Sequence, residues 1–503
     1  MPHISHPIAR TAAWLVTLAA AIALSACGGG GGDTGPLADT QPSATKLPGN
    51  TTTVNTPTVN TSGATTVTFS GPARVVVGTL YTYSASSGNG ASVTYNWGDG
   101  SPSSTASSGA GVKKVWSQAG NFSAVASAGS SSQTLASAGV VAVANPIAAG
   151  NDHTCALKEN NGVTCWGTNP YGQLGNGTIT VYAVGSTVTG VTLSHALSSG
   201  LDGSCAIQPG GSVVCWGYNG YGNIGNGTTS FAVSTPTVVL GLTGTVALAH
   251  GFEHACAVRS DGKVLCWGLN SSGQVGNGSN SPTAVTTPQI VANLPAAIAV
   301  APGNMHTCAL TAAGSVYCWG TSNFGQAGVV AGSIIVVPFL VPQLNDAVAI
   351  SARGNFTCAL KANSTVACWG ENNNYFAPVV QPGTDTYIAT PKLIAGLTDA
   401  ISIKAAERSV CALKANGTVA CLGDNTYGQI GQGTTSAAVT TTSVISGLSN
   451  VSAISAGLSH NCALKSDGTG ACWGSNVSGQ VVDPRGGDKT TPQTLINILP
   501  LWK

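Results

Sequence analysis

Fourteen of the fifteen cysteines in this chain fall into seven pairs, and nine residues separate the two cysteines of every pair. The first cysteines of successive pairs lie 50, 51, 52, 50, 53 and 51 residues apart. A fixed period near this length, without helical periodicity, is typical of a β-propeller in which each repeat forms one blade. Seven such units predict a closed seven-bladed ring over residues 147–503.

The residues between the cysteines of each pair predict a β-hairpin. In the sixth repeat Asn416-Gly417 stands midway between Cys411 and Cys421, and Asp-Gly holds this place in the third and seventh repeats. A type I turn closed by glycine in the left-handed conformation makes a three-residue hairpin loop, which sets the two cysteines opposite each other. Leu413 and Val419 share the cysteines' face because side chains alternate along a strand, so this face should form the core between blades.

Paired cysteines suit either disulfides or structural zinc. Zinc sites usually combine a short step between cysteines with four converging ligands, whereas each pair here stands alone in its repeat. Cysteines opposed in a hairpin are close enough to form a disulfide, so disulfides are predicted and no metal is expected. The predicted disulfides are Cys155–Cys165, Cys205–Cys215, Cys256–Cys266, Cys308–Cys318, Cys358–Cys368, Cys411–Cys421 and Cys462–Cys472.

The remaining cysteine, Cys27, ends an N-terminal segment of another kind. An apolar run from Ala12 to Leu24 follows Arg10, and it is too short to span a bilayer but fits a signal peptide. Leu24-Ser-Ala-Cys27 resembles the bacterial lipobox, although a chance cysteine after an ordinary signal peptide is the alternative. The resemblance implies a signal peptide over 1–26, removed before a lipidated Cys27. Because Gly28 stands where an aspartate would indicate inner-membrane retention, the expected place is the bacterial outer membrane, facing the periplasm or the surface.

Two further segments precede the repeats. Residues 27–65 are rich in Gly, Thr, Pro and Asn and predict a flexible stalk after the lipidated cysteine. Short alternating runs separated by Gly, Ser and Pro over 66–144 predict a small antiparallel β-sandwich. Tyr95-Asn-Trp-Gly-Asp-Gly100 and Val115-Trp-Ser-Gln-Ala-Gly-Asn-Phe122 resemble signatures of the polycystic-kidney-disease (PKD) domain, which implies an immunoglobulin-like spacer or accessory binding module. Asp99 is interpreted as a turn residue, with a catalytic or calcium-binding carboxylate as the alternative.

The repeats share a consensus sequence besides their cysteines. Trp-Gly follows the second cysteine in six of the seven copies, and Gly-x-x-His precedes the first cysteine, as in Gly150-Asn-Asp-His153. A loop reading Asn169-Pro-Tyr-Gly-Gln-Leu-Gly-Asn-Gly-Thr178 follows. Together these resemble the regulator of chromosome condensation repeat family, whose members form seven-bladed propellers. The fold class implied is all-β, a seven-bladed β-propeller preceded by the small sandwich.

Composition and missing motifs limit the function. Only 7% of the residues are charged and the formal net charge is +1, so the chain lacks the basic stripe that nucleic-acid binding requires. It contains no G-x-S-x-G, H-E-x-x-H or P-loop sequence, so no catalytic residue and no cofactor is assigned. Histidine recurs at one repeat position, as in His306 and His460. A metal ring is one interpretation, and a structural role beside the next blade is the favoured one.

Departures from the repeat text, and aromatic residues within it, indicate a binding surface. The residue five positions after the tryptophan lies in equivalent loops, which a propeller places on one face, and it is aromatic in four repeats. The fifth and sixth repeats depart most from the common text. The candidate binding face therefore comprises Tyr171, Tyr221, Phe324 and Tyr427, with Arg353, Phe356, Tyr375, Phe376, Glu407 and Arg408.

These features predict a surface-displayed, lipid-anchored, non-enzymatic protein that binds another protein or a glycan with one propeller face. An exported hydrolase or lyase acting on polysaccharide is the first alternative. It would need two or more carboxylates converging at one face, and few are expected near the aromatic loops. A purely structural envelope protein is the second alternative.

Overall fold

The protein is described here by a computed structural model. The described residues are 66–71, 74–77, 80–99, 101–116, 120–135, 140–143, 145–160, 162–192, 194–329, 331–372, 387–481 and 486–495. The predicted signal peptide, Cys27 and the stalk lie outside them. Secondary structure in these residues is β-strand, apart from one 3-10 turn at Pro209–Gly211. Within the same ranges no helix is long and apolar enough to cross a membrane.

The N-terminal β domain consists of three small sheets around one aromatic core. Tyr83, Tyr95, Trp97 and Trp116 are buried at its centre together with Phe69. The first sheet pairs β1 (Val67–Ser70), β3 (Leu80–Ser87) and β6 (Gly111–Val115); the second pairs β2 (Arg74–Val76), β10 (Val140–Val143) and β7 (Gly120–Phe122); the third pairs β5 (Ser104–Ala106), β4 (Val93–Asn96), β8 (Val125–Ala128) and β9 (Ser131–Thr134).

A buried ion pair lies beside this aromatic core. Nζ of Lys114 donates to Oδ2 of Asp99 at 2.6 Å, and it stands 5.2 Å from the ring centre of Trp116 and 5.7 Å from that of Trp97. The backbone N–H and the hydroxyl of Ser101 also donate to Oδ1 of Asp99. Burial raises the pKa of Asp99, but the hydrogen bonds from Lys114 and Ser101 outweigh it, so the pKa is lowered overall. Asp99 is therefore an ionised structural residue as well as a turn residue.

The rest of the described chain forms seven four-stranded antiparallel sheets, each built from consecutive strands. We number these blades 1 to 7 in chain order. This arrangement confirms the all-β prediction and the single blade per cysteine repeat. The first strands of the blades are β11 (Ile147–Ala149), β15 (Ala196–Ser199), β19 (Thr245–His250), β23 (Ala297–Pro302), β27 (Ala347–Arg353), β31 (Ala400–Ala405) and β35 (Val451–Ala456); the second strands are β12 (His153–Leu157), β16 (Gly203–Ile207), β20 (His254–Arg259), β24 (His306–Thr311), β28 (Phe356–Lys361), β32 (Ser409–Lys414) and β36 (His460–Lys465).

The third and fourth strands complete the sheet of each blade. The third strands are β13 (Val163–Asn169), β17 (Val213–Asn219), β21 (Val264–Gly268), β25 (Val316–Thr321), β29 (Val366–Glu371), β33 (Val419–Asn425) and β37 (Gly470–Gly474); the fourth strands are β14 (Thr180–Thr187), β18 (Ser230–Val238), β22 (Val285–Ile290), β26 (Ile334–Leu340), β30 (Tyr387–Leu393), β34 (Ser436–Val444) and β38 (Lys489–Thr494).

Each predicted cysteine pair is a disulfide that joins the second and third strands of its blade. In blade 6 Cys411 lies directly opposite Cys421, and Gly417 closes the hairpin with φ 78°. Leu413 and Val419 are fully buried beside this disulfide, in a cluster that includes Trp473 of the next blade. The predicted hairpin and the predicted core between blades are both confirmed.

Ring closure between blades 7 and 1 depends on side-chain and backbone contacts. Because every blade is made of consecutive strands, no strand is exchanged between the two blades within the described ranges. Oγ of Ser455 accepts the backbone N–H of Ala149 at 2.9 Å, and Nε1 of Trp166 donates to the carbonyl of Gln480 at 2.9 Å. The same bonds recur between other neighbouring blades, so the closing interface resembles the internal ones.

Strand alternation places the functional loops on one face. In a four-stranded meander, the first-to-second and third-to-fourth connections lie at the same end of the sheet. The Gly-x-x-His segments and the loops after Trp-Gly therefore lie together at one end of the ring, which we call the loop face. The disulfide hairpins and the connections between blades lie at the opposite end.

Candidate functional site

The loop face carries an aromatic cluster on blades 1 and 2, which we call the aromatic patch: Tyr171, Tyr218, Tyr221 and Phe231. The ring centre of Tyr171 lies 5.2 Å from that of Tyr218 and 5.0 Å from that of Phe231, and Tyr218 lies 6.1 Å from Tyr221. All three contacts are edge-to-face, which is a favourable geometry for aromatic pairs. Phe231 is 70% exposed and the tyrosines are half-buried. Exposed aromatic surface held in this way suits contact with a ligand.

The loop beneath the patch is held by its own polar side chains. Oδ1 of Asn169 accepts the N–H of Leu174, Nδ2 of Asn169 donates to the carbonyl of Thr178, and Oε1 of Gln173 accepts the N–H of Tyr171. Gly172 has φ +78°, and a Cβ there would lie 2.4 Å from Cα of Ser234 in blade 2. The glycine thus lets the loop of blade 1 pack against the fourth strand of blade 2, which brings Tyr171 to Phe231.

Three carboxylates accompany the patch on blades 1 to 3. Asp152, Asp202 and Glu253 occupy the same repeat position, directly before the histidine position. Burial raises the pKa of Asp152, and burial together with the Asp152 charge raises that of Asp202 to about 7. Burial and the Asp202 charge raise the pKa of Glu253 to about 7, and both acids in turn raise the pKa of Tyr218 beyond the effect of burial.

The carboxylates also have structural partners. Nε2 of Gln480 donates to Oδ1 of Asp152 at 3.2 Å, and Nε2 of Gln173 donates to Oδ1 of Asp202 at 3.3 Å. Each bond crosses from one blade to the next. Three carboxylates thus lie near the aromatic loops of blades 1 to 3, because the packing of neighbouring blades brings copies of one repeat position together.

The other predicted aromatic residues lie apart from this patch. Phe324 is half-buried and Tyr427 is 40% exposed on the loops of blades 4 and 6, and neither has a ring partner among the described residues. Tyr375 and Phe376 lie outside the described residues. Among the described residues, the ring contacts of the loop face lie on blades 1 and 2, and they include Tyr218 and Phe231, which the sequence analysis missed. Tyr218, two positions after Trp216, was a detectable signal, since no other repeat has an aromatic residue there.

Phe356 requires a correction. It is only 2% exposed and packs with Ile403, Val410 and Leu422 in the core between blades 5 and 6. Its position is the one that holds the buried histidine in other repeats, so the aromatic ring replaces that histidine and faces inward. Phe356 is therefore not part of an exposed binding face.

Charged residues of blades 5 and 6 form a second part of the loop face. Oε1 of Glu407 accepts a hydrogen bond from Nδ2 of Asn304 at 3.0 Å, while its Oε2 is buried without a partner in the described residues. Burial raises the pKa of Glu407, although the charges of Arg353 and Arg408 oppose the shift. Arg408 is exposed, whereas Arg353 is half-buried and lines a small pocket with His250 and Asn304. These groups lie on other blades than the aromatic patch.

The recurring histidines join neighbouring blades. Nε2 of His254 lies 2.8 Å from Oγ1 of Thr307, and that hydroxyl donates a hydrogen bond to the carbonyl of Gln274. A hydroxyl has one proton, so Nε2 of His254 must carry the hydrogen in this bond. His306 with Thr357, and His460 with Thr154, repeat the arrangement. Burial is the main cause that lowers the pKa of each of these histidines to about 3.

The tryptophans of Trp-Gly also bond across the blade interfaces. Nε1 of Trp216, for example, donates to the carbonyl of Gln173 in the preceding blade at 2.9 Å. Five other tryptophans make the equivalent bond. Leu422 replaces this tryptophan in blade 6, and the preceding loop of blade 5 lacks the usual G-Q-x-G text. At the interface between blades 5 and 6, the tryptophan donor and the loop that supplies the carbonyl acceptor elsewhere are therefore both altered in sequence.

In the ranges that the structure describes, no three His, Cys, Asp or Glu side chains are grouped so that they could hold a metal ion. The histidines that recur in the sequence are each bonded to a neighbouring hydroxyl, and Asp152 and Asp202 beside the patch each accept a hydrogen bond from a glutamine amide.

Sequence comparison finds the regulator of chromosome condensation (RCC1) repeat in this chain. One form of the repeat matches residues 261–310, and a second form matches 147–173, 246–274, 297–326 and 451–480. The human E3 ubiquitin-protein ligase HERC2 is 34% identical over 103 residues, which are 19% of this chain and 2% of HERC2. The ultraviolet-B receptor UVR8 of Arabidopsis thaliana is 28% identical over 190 residues, which are 36% of this chain and 42% of UVR8. The matches thus span less than half of either relative.

Structure comparison finds the same kind of fold. Yeast RCC1 (Prp20) in its complex with Kap60 superposes with a TM-score of 0.59 at 20% identity, over 69% of this chain and 84% of that one. Human WBSCR16 superposes with a TM-score of 0.58 at 21% identity, over 66% of this chain and 94% of that one. The chain therefore has the fold of an RCC1-like propeller, and the ranges given above match the RCC1 repeat.

Proposed function

Because an RCC1-like propeller is a scaffold whose activity depends on its surface sites, we propose that this protein is a non-enzymatic binding protein, displayed on a bacterial surface by a lipid anchor. It engages another protein or a glycan with the loop face of the propeller. The observation that carries the proposal is the aromatic patch, with its 70% exposed Phe231. Clustered aromatic side chains with polar neighbours are frequent anchors of binding surfaces.

The anchor proposal comes from the N-terminal segment. The apolar run and the Leu24-Ser-Ala-Cys27 text support a signal peptide over 1–26 and lipid on Cys27. Seven disulfides favour an oxidising compartment outside the cytoplasm. The stalk over 27–65 then separates the folded part from the lipid surface. We further propose that residues 66–144 are a PKD-like, immunoglobulin-like spacer, since buried Trp97 lies within the signature text.

A protein partner is the favoured ligand class. The structures similar to this one include a Prp20 complex with Kap60, and a study of Prp20 concerns its binding to Gsp1p and histones. Those partners belong to Prp20, but they support the use of such propellers as protein-binding scaffolds. The aromatic patch and its three carboxylates favour a partner surface with apolar and basic groups, because the acids supply charge complementarity when they are ionised.

The binding proposal is tested with the full chain carrying Cys27→Ser, exported so that the disulfides form and no lipid is attached. The protein is applied to arrays of surface proteins and of glycans, and Phe231→Ser is compared with the starting protein. We expect Phe231→Ser to reduce binding at least about tenfold, as for an anchor residue. Ile334→Ser is the matched control, because Ile334 is 50% exposed at the start of the equivalent strand in blade 4. Equal losses in both variants, or none, would contradict the assigned patch.

The lipid anchor has its own test. We expect the N-terminal peptide of the native protein to begin at Cys27 and to carry the mass of acyl chains. Cys27→Ser should move the protein from the membrane fraction to the soluble fraction without changing its disulfides. An unmodified Cys27 in the native protein would contradict the anchor and leave the binding proposal standing.

A hydrolase or lyase acting on polysaccharide is the second candidate, and one observation favours it. Asp202 and Glu253 are neighbouring carboxyls beside aromatic rings, and each has a pKa raised to about 7. A general acid needs such a raised pKa near neutral pH. Turnover of a polysaccharide that is lost in Asp202→Asn or Glu253→Gln, and kept in the exposed turn variant Asp261→Asn, would replace the non-enzymatic proposal.

A further inference from the structure

The first strands of all seven blades enclose a cavity along the axis of the ring. Its volume is about 390 Å³, which lies within the usual range for pockets that hold small molecules. Most of its wall is small and apolar, with alanine, valine, isoleucine and leucine from each blade. Val77 and Trp116 of the N-terminal β domain also line it. The cavity is separate from the aromatic patch, since no residue of the patch contributes to its wall.

Two cationic side chains project into this apolar wall from adjacent blades. Arg353 ends the first strand of blade 5, and Lys404 lies near the end of the first strand of blade 6. Nζ of Lys404 donates to Oδ1 of Asn145 at 2.6 Å. The guanidinium of Arg353 has no hydrogen bond or ion pair within the described part of the chain. Among the described residues that line the cavity there is no aspartate or glutamate.

The nearest acid to consider is Glu407, which lies outside the cavity wall. Its charge raises the pKa of Arg353, but burial has the larger effect and lowers that pKa to about 10. Burial likewise lowers the pKa of Lys404 to about 8. Both groups remain mostly cationic at neutral pH while their solvation is poor. Such charges are costly to bury unless something pairs with them.

Serine hydroxyls add hydrogen-bond donors to the same wall. Oγ of Ser198, Ser351 and Ser455 each accepts a backbone N–H from the next blade, at 2.8, 2.9 and 2.9 Å respectively. Each hydroxyl acts as acceptor in that bond, so its own proton stays available to donate. Within the described residues none of the three donates to another protein group. His250 contributes no charge, because burial lowers its pKa to about 4 even though the contact of its Nδ1 with the carbonyl of Gly251 at 3.1 Å opposes the shift.

We propose that this cavity binds a small organic anion, with an oxyanion group held by Arg353, Lys404 and Ser351 on the adjacent blades 5 and 6 and an apolar body held by the aliphatic wall. A carboxylate presents two acceptor oxygens, and the guanidinium fork of Arg353 matches that arrangement. None of the described lining residues is a carboxylate, so the wall itself does not repel an anion. The apolar wall selects an anion with a hydrocarbon body over a fully hydrated inorganic one.

The proposal does not depend on the binding partner of the loop face. It assigns a second site on the propeller axis, whose lining includes no side chain of the aromatic patch. The loss of one site should leave the other intact, so variants of Phe231 and variants of Arg353 separate the two proposals.

Titration calorimetry on the oxidised full chain carrying Cys27→Ser tests the site, with benzoate as the probe. Benzamide is the neutral match to benzoate, and inorganic sulfate is an oxyanion without an apolar body. We expect benzoate to bind, benzamide not to bind, and sulfate to bind more weakly than benzoate. Arg353→Gln and Lys404→Gln should each weaken benzoate binding about tenfold or more, as expected for the loss of a hydrogen bond to a charged group.

Lys392→Gln is the matched control, because Lys392 is exposed on the fourth strand of blade 5 and does not line the cavity. It should bind benzoate as the starting protein does. Arg353→Lys keeps the positive charge and replaces Arg353→Gln in the test if the latter fails to fold. It should retain part of the affinity for benzoate. Absence of benzoate binding in the starting protein, equal binding of benzamide, or unchanged affinity in both cavity variants would overturn the proposal.

Discussion

His460 in blade 7 donates a 2.8 Å hydrogen bond from Nε2 to Oγ1 of Thr154 in blade 1, although 306 residues separate them. Oγ1 of Thr154 in turn donates a hydrogen bond to the carbonyl of Gln480 at 3.0 Å. The bond therefore joins the two ends of the propeller. It has the same form as bonds inside the ring, such as His254 with Thr307. Ring closure here uses the ordinary interface between blades.

Thr154→Val tests the contribution of this closing contact. Valine keeps the shape of threonine but leaves the buried Nε2–H of His460 without an acceptor, and it also removes the bond to Gln480. An unsatisfied buried donor of this kind costs about 1–3 kcal/mol. We expect the free energy of unfolding, measured by denaturant titration of the oxidised protein, to fall by that amount. Thr235→Val is the control, since Thr235 is exposed, and it should change stability by less than about 0.5 kcal/mol.

The buried histidines predict a pH dependence of stability. Burial lowers the pKa of His306 to about 3, whereas an unfolded histidine titrates near about 6.5. Between pH 4 and 6 the unfolded chain therefore binds a proton that the folded protein excludes. The contribution of His306 to stability is thus full above pH 6.5 and is lost as the pH falls.

In His306→Gln, the free energy of unfolding should rise less steeply with pH than in the starting protein. The expected difference between pH 4 and 6 is about 1.4 kcal/mol per pH unit, which corresponds to one proton. Glutamine can still donate an N–H toward Thr357, which limits the structural change. Thr235→Val should keep the original slope. Parallel slopes for His306→Gln and the starting protein would contradict a neutral buried histidine.

The seven disulfides predict that the native protein has no reactive thiol in the propeller. Unfolding without reductant, followed by alkylation, should leave all fourteen propeller cysteines unmodified in the mass spectrum. Replacing Cys308 and Cys318 together by alanine should lower the free energy of unfolding by up to about 2.8 kcal/mol, from the chain entropy of the small closed loop. Alkylated propeller cysteines in the native protein would contradict the pairing.

Asp99→Asn tests the buried ion pair of the N-terminal β domain. Asparagine keeps the shape but removes the negative charge, and it leaves Lys114 without its ion-pair partner at a position where the lysine side chain is 9% exposed. Breaking one partner of a buried pair costs about 3–5 kcal/mol. We expect a loss of this size in the unfolding of this domain, monitored by the fluorescence of Trp97 and Trp116. Asp261→Asn, in an exposed pair with Arg259, should cost less than about 1 kcal/mol.

Much of the propeller could be predicted because its repeat places the same chemistry in the same position seven times. The cysteine spacing with Asn416-Gly417 specifies a hairpin, and the hairpin specifies which cysteines meet. The sequence-based prediction of a recurring structural histidine also agrees with the geometry of His254 and His460. These features depend on local turns and on alternation along a strand, both of which are written into short stretches of sequence.

The candidate site could be predicted only in part, because it depends on contacts between blades. Tyr171 meets Phe231 across the interface of blades 1 and 2, and no sequence period connects these two positions. Asp202 and Glu253 occupy one repeat position in the sequence, but their raised pKa values come from burial and from the charge of the acid in the preceding blade, which only the packing of neighbouring blades provides. Phe356 differs from the repeat text and yet is buried, so a departure from the text does not by itself indicate exposure.

Phe356→Ala and Phe231→Ala together test the distinction between packing and binding. Phe356 is 2% exposed and Phe231 is 70% exposed. Truncating a buried phenylalanine costs about 3–5 kcal/mol through lost burial and the cavity that remains, so Phe356→Ala should lower the free energy of unfolding by that amount. Phe231→Ala should change it by less than about 0.5 kcal/mol, as a surface substitution does. Binding should show the reverse order: Phe231→Ala loses affinity for the loop-face ligand, and the folded fraction of Phe356→Ala keeps it. A stable Phe356→Ala protein that no longer binds would restore Phe356 to the binding face.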